Sequence, residues 1–190
     1  MTVRLAPRQR ELRDRGTPAQ RTAMRLLISL GEIYGADRLV PIQSAHVAGA
    51  SYKIVGEAGL EFIEEFARTG RVTVPTTVNP LGMDLERWRE QGIPDAFAER
   101  QRKIAEAYRR MGVLESFSCT PYLIGNRPKF GEHLAWAESL AACFANSVIG
   151  ARTNREGGPS ALAAAVVGAT PNYGLHLDSN RRATHIVDVK

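Results

Sequence analysis

The chain has 190 residues, of which 44% are hydrophobic and 24% are charged, a composition typical of a globular protein with one sizeable core. Its 25 Lys and Arg residues exceed its 20 Asp and Glu residues, but they form no dense basic stripe with interleaved aromatic residues, so nucleic acid is not an expected partner. The sequence has no signal-peptide core near its start and no run of roughly 18 apolar residues, which predicts a cytoplasmic protein without a membrane partner.

Residues 1–16 form a basic N-terminal arm, and a helix is predicted to begin directly after it. Thr17, Pro18 and Gln20 have the spacing of a capping box with proline in the first turn. Apolar residues then recur at helical spacing until Gly35 ends the pattern. The next predicted elements are a short strand, a glycine-rich loop and an amphipathic helix, at residues 37–47, 48–59 and 60–67.

The rest of the chain continues to alternate between strand-like and helix-like segments. Predicted strands cover residues 71–80, 147–151 and 183–189, residues 116–125 are a further step from strand to loop, and predicted helices cover residues 94–111, 132–145 and 159–167. This alternation is typical of an α/β fold in layers, with a mainly parallel sheet flanked by helices. Because a strand-like segment closes the pattern, the domain is expected to be incomplete in this chain.

Polar and glycine-rich segments follow four successive predicted strands, at residues 44–53, 76–84, 119–122 and 152–158. Ligands of parallel α/β sheets bind at the carboxyl ends of the strands, so these segments are expected to meet at one pocket.

The last of these segments combines two arginines with a glycine-rich helix start. The free N–H groups of the helix that follows Gly157-Gly158-Pro159 favour an anion, and Arg152 and Arg155 have the donor geometry for a carboxylate or phosphate. The same pattern is explained equally well if both arginines bridge neighbouring acids while the glycines turn the chain.

Most of the single side chains that could carry chemistry allow both a functional and a structural interpretation. Cys119 follows a predicted strand, where its thiolate could face the pocket, although a small buried thiol is the ordinary alternative. Cys143 lies among apolar residues and is explained by packing. His46 is the best acid/base candidate, while an ordinary hydrogen-bonded histidine explains it as well. Lys53 could hold a phosphate or lie on the surface.

Four long segments together resemble the large-subunit catalytic domain of the aconitase X family. They are SAHVAGASYKIVGEAGLEF, TTVNPLGMDLERW, SCTPYLIGNRP and WAESLAACFANSVIGARTNREGGPSAL, in the expected order. The similarity covers the chain from Thr17 onward, so residues 17–190 are interpreted as the N-terminal part of an aconitase-like catalytic domain. The family includes phosphomevalonate dehydratase and cis-3-hydroxy-L-proline dehydratase.

The resemblance implies a hydro-lyase that removes water from a small hydroxy acid with the help of iron. The cofactor is expected to be an iron–sulfur cluster, of the four-iron, four-sulfur type or another iron centre, that three cysteines hold. Cys119, in SCTPY, matches the first cysteine ligand. Iron with an open position acts as a Lewis acid on the substrate hydroxyl. The resemblance assigns no general base.

It also implies which residues bind the substrate. Arg152 and Arg155 are interpreted as anion donors or as ties that hold the pocket together. The full set that the motifs match is Gly49, Ala50, Ser51, Asn79, Pro80, Glu138, Ser139, Arg152 and Arg155.

The other two cysteine ligands of the family belong to a C-terminal part with no counterpart here, and Cys143 lies in no ligand motif. A small subunit or fused small domain is a further expected partner. We therefore expect that this chain alone neither holds a cluster nor turns over substrate. The favoured substrate is (R)-5-phosphomevalonate; the alternatives are cis-3-hydroxy-L-proline, or a non-catalytic anion-binding or assembly subunit.

Overall fold

A three-stranded parallel sheet lies at the centre of the fold in a computed structural model, which describes residues 2–189. Its strands are β2 (Ser44–Ala48), β3 (Thr76–Asn79) and β4 (Leu134–Trp136), in the spatial order β3-β2-β4. Parallel strands need long crossovers, and helices α3 (Tyr52–Thr69) and α4 (Asp95–Arg110) provide them. The predicted α/β fold with a mainly parallel sheet is confirmed.

Four more helices and a second, smaller sheet complete the described elements. Strands β1 (Leu39–Pro41) and β5 (Ala169–Pro171) pair antiparallel. The helices are α1 (Pro7–Arg15), α2 (Pro18–Ile33), α5 (Ser139–Phe144) and α6 (Gly158–Val167). No helix in residues 2–189 combines the length and the apolar character that a membrane span requires.

The main core lies on one face of the parallel sheet, where α2, α3, α4 and α6 pack. The alternating pleat sends Ala45, Val47, Val78 and Ala135 into this core. Eight of the ten residues of α6 are buried, as expected of a helix that is apolar on all sides. Thr77, Asn79 and Trp136 therefore lie on the opposite face of the sheet, toward the loops.

The basic arm contains a helix. No residue of α1 is buried, but Val3 before it is buried beside Gly31 of α2. Arg4 pairs with Asp37 at 2.9 Å. The domain boundary after residue 16 stays a prediction. The capping box predicted at the start of α2 is confirmed, because the Thr17 hydroxyl accepts from the Gln20 N–H and the Gln20 side chain accepts from the Thr17 N–H.

Two of the predicted strands have different limits in the structure. Residues 37–47 form two strands rather than one, because the chain leaves the small sheet after Pro41 and enters the parallel sheet at Ser44. The strand predicted at 71–80 begins only at Thr76. Pro75 has no N–H to contribute to a ladder, so the regular pairing of this edge strand starts after it.

Four other predicted elements are wrong. The helix predicted at 132–145 is strand β4 followed by α5, and the strand predicted at 147–151 overlaps a π-helix, Ala145–Ile149, after which Gly150 has a φ of 74°. Residues 116–125 form no strand, only a short 3-10 turn at Pro121–Leu123. Residues 183–189 have no regular structure, and Ile186 is fully exposed, because no neighbouring strand pairs with them in the described part of the chain.

Candidate functional site

The three parallel strands end at the same edge of the sheet, and the loops that follow them form the candidate site. The loop after β2 begins at Gly49, the loop after β3 begins at Pro80, and the connection after β4 contains Glu138. A fourth loop brings Cys119 to the same edge. This is the place where open parallel sheets bind ligands.

Asn79 joins these loops through both its side chain and its backbone. Its Nδ2 donates to Cys119 Sγ at 3.0 Å and to Glu138 Oε2 at 3.3 Å. Its carbonyl oxygen accepts from the N–H groups of Gly49 at 2.9 Å and Ala50 at 3.3 Å. The φ of 95° at Gly49 is a left-handed conformation that favours glycine, and it turns the end of β2 back over Asn79. Asn79 is fully buried, whereas the Cys119 side chain is exposed.

Glu138 is held in its charged form beside this cluster. Partial burial acts to raise its pKa, but hydrogen bonds from the Leu140 N–H, Asn79 and the Ser139 hydroxyl outweigh burial and hold the pKa below its usual range. Glu138 Oε1 accepts from the Leu140 N–H at 3.3 Å and so caps α5. The site therefore presents one thiol and one carboxylate that share a single amide donor.

The side chain of Gln101, on α4, connects the loop after β2 to the loop after β3. Its Nε2 donates to the Ala50 carbonyl at 2.9 Å, and its Oε1 accepts from the N–H groups of Tyr52 at 2.9 Å and Gly82 at 3.1 Å. A Cβ at Gly82 would lie 2.6 Å from Ser51 Oγ, so the two loops touch at a position that only glycine permits. Gln101 is fully buried and all three of its contacts fix loop backbone.

His46 lies deeper in the sheet beneath Asn79. Its Nδ1 is 2.7 Å from the Thr77 hydroxyl, and the ring is fully buried against Trp136. Burial lowers the pKa of His46 to about 4, although the charge of Glu138 and the side chain of Asn79 act in the opposite direction. The imidazole is therefore neutral near pH 7.

The glycine-rich start of α6 is occupied by a side chain of the protein itself. Glu156 is buried there, with Oε2 accepting from the Ser160 hydroxyl at 2.7 Å and Oε1 accepting from the Thr170 hydroxyl at 3.4 Å. Burial raises the pKa of Glu156, and the two hydroxyls oppose the rise. Gly158 packs directly on the Ala48 carbonyl oxygen, where a Cβ would overlap it. The glycines thus let α6 approach the end of β2.

Neither arginine of this segment makes a side-chain hydrogen bond or ion pair with Cys119, Asn79 or Glu138 within residues 2–189. Arg152 is bridged to His133, which precedes β4, and its guanidinium contacts Asp178 and the His176 carbonyl oxygen. Of the two roles expected for Arg152, these contacts are those of a tie. Arg155 is exposed next to the start of α6.

A family model described as the first domain of aconitase X matches residues 2–179. The chain belongs to the aconitase X family. The family model includes most of the basic arm as well as the four loops of the site.

Curated relatives of this aconitase X chain include two enzymes with different substrates in their names. The phosphomevalonate dehydratase large subunit of Methanocaldococcus jannaschii is 59% identical over 170 residues, which are 89% of this chain and 42% of the relative. The cis-3-hydroxy-L-proline dehydratase of Pseudomonas aeruginosa is 44% identical over 90% of this chain and 30% of its own length. The chain thus spans less than half the length of these curated relatives.

A solved structure supports the same assignment. The crystal structure of Thermococcus kodakaraensis aconitase X in its holo-form is 52% identical and superimposes with a TM-score of 0.86. The match covers 96% of this chain and 45% of the solved chain.

The aconitase X motifs named in the sequence fall into two groups in the structure. Cys119, Asn79 and Glu138 are in contact, and the remaining positions of the three strand-end loops adjoin them: Gly49, Ala50, Ser51, Pro80 and Ser139. Arg152 and Arg155 are the second group, outside this contact network. Their roles, like those of the first group, stay predictions.

Sequence reasoning missed Gln101. A signal for it exists, because Gln101 interrupts the apolar face that Ala98, Ile104, Ala105 and Tyr108 form on α4 at helical spacing. A buried amide on such a face must find hydrogen-bond partners, and here they are the backbone groups of the site loops.

The side chains that the structure describes at this edge of the sheet include residue types that bind iron, but too few of them for a complete iron site. Cys119 and Glu138 are of the thiolate and carboxylate types that bind iron, and both converge on Asn79. Among the described residues, no three His, Cys, Asp or Glu side chains are grouped closely enough to hold a metal ion.

Proposed function

We propose that this chain supplies the substrate-binding loops and the first iron ligand of an aconitase X-type hydro-lyase that removes water from a small hydroxy acid. The observation that carries the proposal is the contact between Asn79 and both Cys119 and Glu138 at the carboxyl edge of the parallel sheet. Membership of the aconitase X family and the dehydratase names of its relatives support this function. A cytoplasmic location stays a prediction from the sequence.

Cys119 would hold the iron centre together with ligands from outside the chain, while Glu138 faces the substrate. Bound iron supplies a Lewis acid that makes a substrate hydroxyl a better leaving group. The chain's own residues orient both side chains, because the Asn79 amide fixes Cys119 and Glu138 while the Leu140 N–H fixes the other carboxylate oxygen. The remaining N–H groups of the strand-end loops are suited to the anionic groups of the acid.

Phosphomevalonate is the favoured substrate. Four relatives named phosphomevalonate dehydratase large subunit are 56–59% identical to this chain and a fifth is 43% identical, whereas the two named cis-3-hydroxy-L-proline dehydratase are 41–44% identical. The second substrate remains the alternative because those relatives match across the same site loops. A small subunit and the ligands of the missing part are the proposed partners.

The test of iron ligation is reconstitution of the complete enzyme. The chain is co-expressed with the part of the M. jannaschii large subunit that follows the matched region and with a small subunit, and the assembly is loaded with iron anaerobically. Cys119→Ser is expected to reduce bound iron to background and abolish dehydration, because serine is a poor ligand for this soft site. Cys143→Ser, the matched control on exposed α5, is expected to retain iron.

Iron content that is unchanged in Cys119→Ser would contradict the ligand assignment. If the assembly binds iron but dehydrates neither phosphomevalonate nor cis-3-hydroxy-L-proline, the hydro-lyase proposal fails and the non-catalytic alternative stands. Comparison of kcat/KM for the two acids decides between the substrates, with phosphomevalonate expected to be the better one.

A further inference from the structure

Two buried polar atoms beneath the site have no hydrogen-bond partner within residues 2–189. They are His46 Nε2 and Asn79 Oδ1, and each lies in a fully buried residue. A buried polar atom without a partner is costly, so each requires an explanation. The two atoms are complementary, since imidazole nitrogen can donate and an amide oxygen accepts.

The register of the sheet places the two side chains next to each other. His46 pairs with Thr77, and Ala48 pairs with Asn79, so Thr77 and Asn79 flank the ring on the same face of the sheet. His46 Nδ1 faces the Thr77 hydroxyl at 2.7 Å. The side chain of Asn79 acts to raise the pKa of His46, as a nearby acceptor does.

The position of the Thr77 proton decides which ring nitrogen carries hydrogen. Thr77 Oγ1 accepts from Asn126 Nδ2 at 3.0 Å, which leaves its own proton to be donated. His46 Nδ1 lies at 2.7 Å, whereas the Ala45 carbonyl lies at 3.5 Å and already accepts from Asn126 at 3.2 Å. The shorter contact favours donation to Nδ1, so the ring hydrogen is on Nε2.

We propose that His46 is a positioning residue in its neutral Nε2–H form, and that it donates to Asn79 Oδ1 and thereby keeps Asn79 Nδ2 directed at Cys119 and Glu138. The relay runs from the Asn126 amide through the Thr77 hydroxyl and the imidazole to Asn79. The charge of the Glu138 carboxylate stabilises the same orientation of the amide from the other side.

The opposite tautomer would bring two acceptor atoms together in either orientation of the Asn79 amide. With hydrogen on Nδ1, the lone pair of His46 Nε2 would face the lone pairs of Asn79 Oδ1. Rotation of the amide would relieve that contact but would direct Oδ1 at the Glu138 carboxylate, which is also an acceptor. Only the Nε2–H form gives every member of the relay a complementary neighbour.

The importance of this relay for dehydration rests on the proposed function, but the tautomer itself does not. Long-range ¹H–¹⁵N NMR on the 190-residue chain reports the tautomer directly. The His46 signals are identified by their loss in His46→Gln, which separates them from those of His133, His176 and His185. We expect the Nε2–H form near pH 7. The Nδ1–H form would overturn the proposal, whether or not the assembled enzyme proves to be a dehydratase.

Substitution tests whether His46 acts through Asn79. The Asn79 side-chain N–H signals, assigned by their loss in Asn79→Asp, are expected to exchange with solvent about 2- to 10-fold faster in His46→Leu, the loss of one ordinary hydrogen bond. His46→Gln retains an N–H donor and is expected to restore slow exchange. Equal exchange in the Leu and Gln variants would overturn the proposal; if His46→Leu does not fold, the tautomer in the unaltered chain decides.

Discussion

Asn79 both connects the end of β3 to the loop after β2 and contacts other residues of the candidate site. Its carbonyl closes the loop after β2, while its amide contacts Cys119 and Glu138. Burying such a polar side chain is favourable only if its hydrogen bonds are made. The residues that satisfy Asn79 therefore control the geometry of the groups that it touches.

At the scale of single residues, the sequence shows which residues belong to the candidate site better than it shows which of them are in contact. The motifs around Cys119 and Asn79 point to both residues, because each stands in a segment that resembles a known family. The relay to His46 could not be predicted, since it depends on the register of β2 with β3 and on Asn126, which is 81 residues away from Ala45 along the chain.

Glu156 provides a pH-dependent prediction at the residue scale. Burial raises its pKa in the folded state, so folding favours the protonated form. The stabilisation is complete below the ordinary glutamate pKa of about 4.3 and is lost as the pH rises through the folded-state pKa. Because glutamine cannot ionise, the unfolding free energy of Glu156→Gln, relative to the unaltered chain, is expected to be higher at pH 8 than at pH 4.5.

Denaturant unfolding at both pH values measures this difference. Glu61→Gln is the matched control, since Glu61 is an exposed glutamate of α3. A Glu156→Gln effect that does not change with pH would show that Glu156 titrates normally.

At the scale of elements, the long amphipathic helices could be predicted and the short strands could not. Helices α2, α4 and α6 lie close to their predicted positions, because each combines a start signal with periodic or continuous apolar residues. Strand β4 has only three residues, all buried, and a short apolar run of that kind has no periodicity to distinguish it from a helix.

The approach of α6 to β2 gives a prediction at this scale. Alanine normally stabilises a helix relative to glycine, but the Cβ of Gly158→Ala would overlap the Ala48 carbonyl oxygen. We expect the variant to lose about 1–3 kcal/mol of unfolding free energy, as overpacked positions do. Denaturant unfolding measures the loss, and NMR of the Asn79 side chain reports whether the adjacent site loop moves.

Gly157→Ser is the matched control for that substitution. The nearest atom to a Cβ at Gly157 is Ser160 Oγ at 3.6 Å, an ordinary contact, and serine is a favoured N-cap residue. Its unfolding free energy is expected to stay within about 0.5 kcal/mol of the unaltered chain. Equal losses at Gly157 and Gly158 would show that the close packing on Ala48 does not limit this position.

At the scale of the whole molecule, the core and the site lie on opposite sides of one sheet. The apolar face of β2 and β3 packs on the helices, whereas His46, Thr77 and Asn79 use the other face for polar contacts. The register of the strands therefore sets the positions of the site side chains on one face, while the apolar side chains on the other face stay buried. Substitutions on the two faces are expected to separate stability from ligand binding.

Removal of the N-terminal arm tests whether stability and the assembly of the site can be separated in the whole molecule. Removal of residues 1–16 takes away α1, which has no buried residue, and Val3, which does pack on α2. Loss of Val3 and of the partly buried Leu5 and Leu12 is expected to cost about 2–4 kcal/mol of unfolding free energy. Because the arm packs mainly on α2 and pairs with the Asp37–Arg38 segment, rather than with the strand-end loops, the site should remain assembled.

Denaturant unfolding and the NMR signals of the Asn79 side chain measure the two effects separately in the shortened chain. Val3→Ala in the full chain is the control, since it truncates the buried side chain of the arm without removing the helix. A shortened chain that folds with unchanged Asn79 signals supports a domain that begins at Thr17. A chain that fails to fold, although Val3→Ala does fold, would place α1 inside the domain, in agreement with a family match that starts at residue 2.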